Sequence, residues 1–351
     1  MRQPIGLSRL FFFVALASCI SFGQAASPLV PLRITDETPV SSLRVNARGI
    51  HTVGGNGEFY VSTGPGRYVS VDLDGETNPA LDLASVPATE GMSPKDLILV
   101  GLAPDPRGGV LVTVLWGETP TKTRYGLVRF DNDGAYDGLT WLDADAGFTP
   151  THAVEFSSSG NFLVCGYDEH GKIKVALFDF RGFLLKQQVV AYGDKEGSTS
   201  KGAAGQSAQA ADEHAMREAG MIQMASAEDD SVYLYNSAWG RKVIRVQSSG
   251  KATEISLANP HSNTMPMELV VSHGYLYLCE ATLDEGQKVG PLKSFSISVY
   301  DRYDGSLKTS YLVNGRLGLA FVAASPRDFY FLRAKVPPGD AVNFSLIREQ
   351  P

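Results

Sequence analysis

The sequence is short of cysteine, has no concentration of positive charge, and contains none of the common catalytic signatures. Three cysteines occur in 351 residues, and only Cys165 and Cys279 lie beyond the N-terminal leader. Each ends a strand-like run, Asn161 to Cys165 and Tyr275 to Cys279, at matching positions of two repeats that are not neighbours. Equivalent positions in separated repeats should not meet, so the pattern predicts two buried thiols rather than a disulfide. Lys and Arg number 31 against 38 Asp and Glu, a net charge of −7. No basic cluster offsets this locally, which argues against nucleic acid or anionic lipid as a partner. A Gly-x-Ser-x-Gly elbow, a His-x-x-x-His pair and a Walker-type glycine loop are all absent. Val53-Gly54-Gly55-Asn56-Gly57 is glycine-rich but opens onto a strand, so it reads as a turn. No residue is assigned a catalytic role.

Long apolar runs are also missing. The longest, Leu10 to Phe22, spans about 13 residues and is broken by Ser18, Cys19 and Ser21. A membrane-spanning helix needs roughly 20. With Arg2 and Arg9 ahead of it and Gly23-Gln24-Ala25 behind, the run reads as an export signal over residues 1–25, cleaved after Ala25. Cleavage leaves 26–351 as one domain with a net charge of −9, placed in the periplasm or outside the cell. Leu16-Ala17-Ser18-Cys19 also fits a bacterial lipobox, so a lipid anchor on Cys19 is the alternative.

What the chain does have is a repeat. An apolar residue, Asp or Gln, two variable residues and Gly recur as Val71-Asp72-Leu73-Asp74-Gly75, Phe130 to Gly134, Phe178 to Gly182 and Val246 to Gly250. Tyr300 to Gly305 carries one extra residue. Each follows an apolar or alternating run, which is the signal of a hairpin: Asp caps the turn and Gly supplies a positive φ. A second signature lies upstream in six copies, among them Glu58 to Ser62, Gly109 to Thr113 and Asp328 to Leu332. These are rich in aromatic and β-branched residues and read as strands. Units of four strands over roughly 40 to 55 residues predict an all-β, six-bladed propeller with four-stranded blades. The sixth unit ends before its outer strand, and Leu29 to Ile34 is free to supply it and close the ring.

These units resemble six-bladed propellers of the NHL-repeat and SMP-30/gluconolactonase type. Pro150 to Val164, continuing to Phe178-Asp179-Phe180-Arg181-Gly182, is the copy that carries the likeness best. The resemblance is architectural. Where NHL units carry Asp and Asn-x-Arg, this chain has Cys165-Gly166 and Gly171-Lys172-Ile173.

Residues 193–218 are small and polar, and predict a flexible low-complexity loop inserted between blades. Sites in propellers lie at the channel mouth, where the inner strands begin. Aligning the units there brings Arg48, Asp96, His152, Glu218, Glu268 and Arg316 to one register, with Glu155 within reach of the same space. Asp96, His152 and Glu268 are the candidate metal ligands, for calcium or another divalent cation. The leading reading is an exported binding or scaffolding propeller that recognises a protein or glycan partner on one face. The alternative, implied by the SMP-30 likeness, is a metal-dependent hydrolase or lactonase at the channel mouth.

Overall fold

The computed structural model describes residues 29–40, 50–52, 59–88, 92–117, 123–143, 146–168, 170, 172–192, 222–260, 264–283, 293–314, 319–335 and 343–351. The expected export leader with Cys19, and the 193–218 loop, lie outside these residues.

The described residues form six sheets, four of them built from four successive antiparallel strands and two that also take a strand from the N-terminal segment. Blade 1 holds Ile50–Thr52, Phe59–Gly64, Arg67–Val71 and Thr77–Asp82. Blade 2 holds Leu97–Pro104, Val110–Gly117, Thr123–Phe130 and Tyr136–Trp141. Blade 3 runs through Thr149–Glu155, Phe162–Tyr167, Lys172–Phe178 and Leu184–Tyr192, and blade 4 through Gln223–Ser226, Ser231–Tyr235, Lys242–Gln247 and Ala252–Ser256. Blade 5 comprises Thr264–Ser272, Tyr275–Thr282, Ser294–Asp301 and Leu307–Leu312. Blade 6 comprises Leu319–Ala324, Phe329–Lys335 and Asn343–Gln350, with Arg33–Pro39 antiparallel to the last of these. The protein is a six-bladed β-propeller. No helix among the described residues is long and apolar enough to cross a membrane.

Residues 29–34 were expected to supply the missing outer strand. That place is taken by Arg33–Pro39, while Val30–Pro31 pairs in parallel with Tyr311–Leu312 on the edge of blade 5.

The second strand of each blade is apolar on both faces because both faces are covered. Phe59, Tyr60 and Val61 have no exposed surface, and neither do Tyr233, Leu234 and Tyr235. The buried apolar residues fall into six clusters, one for each junction between neighbouring blades. The junction of blades 6 and 1 is among them, with Phe59 and Val61 packed against Val322, Leu332 and Leu346. A ring of sheets has one core per junction, and the buried apolar area in these is the main stabilising term.

The recurrent Asp-x-x-Gly turn does two jobs. Its Asp oxygen accepts two backbone N–H groups in turn: Asp131 from Asp133 and Ala135 at 3.0 and 2.8 Å, Asp179 from Arg181 and Phe183 at 2.9 Å each. Its Gly has a positive φ, +87° at Gly182, and lies against the outer strand of the preceding blade. A Cβ on Gly182 would run into the Trp141 carbonyl oxygen of blade 2. The turn signature therefore also sets how closely one blade packs on the next.

Candidate functional site

Inner strands in a propeller have an unpaired edge along the channel, so their outward N–H groups need acceptors from elsewhere. Two side chains supply them. Gln223 Oε1 on blade 4 accepts the Leu269 N–H of blade 5 at 2.9 Å, and Glu268 Oε2 on blade 5 accepts the Phe321 N–H of blade 6 at 2.6 Å. These two residues share a register, since Gln223 sits opposite Tyr235 and Glu268 opposite Cys279 in their own sheets. His152 opposite Cys165 and Gly101 opposite Thr113 hold the same place on blades 3 and 2. A Cβ on Gly101 would crowd the Thr151 carbonyl and the His152 ring, so the small residue there makes room for the histidine. Crowding in the channel wall desolvates Glu268 and pushes its carboxyl up to about 7, against the pull of the Phe321 N–H.

Of the residues expected at this register, His152 and Glu268 occupy it. Asp96 does not: it is exposed, in the single 3-10 turn Pro94–Asp96 capped by Ser93, five residues ahead of Gly101. Arg48, Glu218 and Arg316 lie outside the described residues. Glu218 precedes Gln223 by the same five residues, and Gln223 is the blade 4 residue at the register. The signal for it lay in counting back from the second strand, where Gln223 and Gly101 are equally distant from Tyr235 and Thr113.

Glu155 lies away from that register, at the far end of its strand next to the turn into Phe162–Tyr167. It is buried and paired with Arg129 of blade 2, whose guanidinium also holds the fully buried Asp105 carboxylate. Arg107 approaches Glu155 at 3.5 Å. The Arg129 position recurs on alternate blades. Opposite Leu111, Tyr233 and Tyr330 of the second strands, blades 2, 4 and 6 carry Arg129, Arg245 and Arg348, whereas opposite Tyr60, Leu163 and Tyr277 blades 1, 3 and 5 carry Ser70, Leu177 and Val299. Each arginine holds an Asp from the first turn of its own blade: Asp105, then Asp229 at 2.9 Å and Asp328 at 2.7 Å. At the other end of the ring wall, the buried Glu280 is held by Arg241 of blade 4 and accepts Ser298 Oγ at 2.7 Å.

These pairings bear directly on a metal. Asp96 is remote from the register of His152 and Glu268, and Asp105 and Glu155, which do lie close together, already share one guanidinium. Among the described residues, no three His, Cys, Asp or Glu side chains gather in a way that could hold a metal ion. The residues do not fit a calcium-type site. Cys165 and Cys279 are free and buried, on the register-matched strands of blades 3 and 5, and burial pushes the Cys165 thiol up to about 12.

The face formed by the turns between first and second strands and between third and outer strands carries exposed aromatic rings. Phe180 and Phe183 stand 59% and 60% exposed on the blade 3 turn, and Tyr303 56% exposed on the blade 5 turn. Arg181 stacks on Phe180 at 5.1 Å, and Tyr303 is shared by Arg245 and Arg302, each at 5.0 Å. Arg302 is fixed in turn by Glu228 at 2.8 Å.

No protein-family model matches the chain. No curated protein matches it either. Among solved structures it is similar to a protein of unknown function from Bacteroides caccae, at 12% identity and a TM-score of 0.39, over 82% of this chain and 84% of that one. That likeness is too remote to add to what the strands themselves establish.

Proposed function

We propose that this chain is an exported binding propeller that takes a protein or glycan partner on the turn face. The observation that carries the reading is the set of rings on that face, Phe180, Phe183 and Tyr303, each more than half exposed, with arginine stacked on Phe180 and on Tyr303. Large aromatic side chains backed by arginine are the residues from which binding hot spots are built, and aromatic faces also stack on sugar rings. Acids close to the ring wall, Glu155 and Glu280 among them, are held by arginine, which suits a rigid scaffold. The leader supports export, and intact mass of the secreted protein should begin at Ala26.

The test is a glycan array and a peptide-display screen on the purified mature protein. A Phe180→Ser, Phe183→Ser, Tyr303→Ser variant is run beside it. Hits weakened at least tenfold in the variant, at unchanged melting temperature, support the reading. Hits that ignore the triple change, or divalent-metal-dependent turnover of a lactone, overturn it.

A further inference from the structure

A cleft of about 120 Å³ opens between blade 6 and the third-to-outer turn of blade 1. Its apolar lining is Leu73 and Leu346, and Tyr330 forms one wall. Asp36, from the outer strand of blade 6, and Asp74, from the blade 1 turn, both border it. Neither carboxylate has an ion-pair partner among the described residues; Asp36 only accepts Thr38 Oγ1, at 3.5 Å. Arg348 also borders the cleft, but its Nε and Nη2 both point at Asp328 Oδ1, at 2.7 Å each. Gln350 Nε2 reaches the same oxygen at 2.6 Å. Counting Asp36, Asp74 and Asp328 against Arg348 leaves the cleft with two uncompensated negative charges. The pKa of the Tyr330 hydroxyl is raised chiefly by burial, against the pull of Arg348, with Asp328 and Asp74 adding to the rise.

We infer that this cleft is an anchor pocket for a basic side chain, arginine or lysine, of a partner protein. The inference deepens the binding reading above and rests on it. Size admits a single long side chain: at about 120 Å³ the cleft is well above the roughly 10–15 Å³ that one water needs on this scale. Charge selects a cation, because Asp36 and Asp74 flank the opening and the one guanidinium beside them, Arg348, is bonded to Asp328 and acts on Asp36 only through space. The ring of Tyr330 offers a cation–π surface, and Leu73 with Leu346 suits the aliphatic stem that such side chains carry. The pocket lies two to three blades round the ring from Phe183, and Phe180, Phe183 and Tyr303 are not among its lining residues, so the two features are separable by mutation.

The test titrates N-acetyl-arginine amide, N-acetyl-lysine amide and N-acetyl-norleucine amide into the mature protein, reading the methyl resonances of Leu73 and Leu346. Saturable shifts with arginine or lysine are expected, at least tenfold weaker in Asp36→Asn with Asp74→Asn and absent with norleucine. The double variant should melt as the wild type does, since both carboxylates lack partners. Shifts that are equal with norleucine, survive in the double variant, or never appear at those methyls would sink the pocket. The Phe180, Phe183, Tyr303 variant is the control: it should keep these shifts while losing face binding. Failure of the cleft therefore leaves the wider reading standing.

Discussion

Gln223 and Glu268 perform the same task on adjacent blades, each capping a backbone N–H of the next inner strand through a side-chain oxygen. One is neutral and the other titrates at about 7, so the ring itself contains the control for an experiment. A carboxyl raised above its unfolded value binds protons more tightly in the folded state. Its penalty is absent below about 4.5 and grows as pH rises to about 7, so stability falls across that window. Glu268→Gln keeps the acceptor and removes the charge. The variant should be more stable by ~2 kcal/mol at pH 8 and unchanged at pH 4, by urea denaturation. Equal gains at both pH values would mean that ionisation is not the cause.

Arg129 holds two buried carboxylates, whereas Arg348 holds one from a side chain that is 42% exposed. Arg129→Met leaves the buried Asp105 and Glu155 with only the half-exposed Arg107, 3.5 Å from each, and should cost about 3 kcal/mol. Arg348→Met should cost about 1 kcal/mol or less, because water answers the charge it abandons. The two denaturation midpoints, measured side by side, check the ranking.

Gly182 and Gly240 both have a positive φ, but only Gly182 is crowded by a neighbouring blade. Gly240→Ala meets open space but stands at φ +65°, ψ −117°, where only glycine sits easily, and should cost about 1–3 kcal/mol from backbone strain alone. Gly182→Ala should cost at least ~2 kcal/mol more, since the blade 2 strand must move. Similar melting temperatures for the two variants would show that the blade contact yields easily.

Deleting residues 29–39 would strip the partner from Asn343–Gln350 and bare a strand edge at the junction of the last and first blades. The truncated protein should melt at least ~5 °C lower, a loss of roughly 3 kcal/mol or more in a domain of this size, and form oligomers by light scattering. An unchanged, monomeric melt would mean that the packing of blade 6 on blade 1 holds the ring unaided.

Six blades could be read from the chain because each blade is local: a hairpin needs only a strand, an Asp, a Gly and another strand close in sequence. The second strands, buried on both faces, and the turn glycines mark themselves by composition. Register along the channel could not be read in the same way. Asp96 lies outside it and Gln223 inside it because the bulge recurs but the connection does not: Gly101, His152 and Glu268 stand 12, 13 and 11 residues before their partners Thr113, Cys165 and Cys279, and one extra residue shifts every side chain that follows. Glu155 looked like a channel residue until Arg129 was found beside it on another blade, a partner that no spacing within a repeat announces. Periodicity belongs to the sequence, since it follows from which groups each strand must bury. Which charges face solvent and which are spent on a neighbour is decided only when separate repeats are brought edge to edge, where a few ångströms separate a ligand from an ion pair.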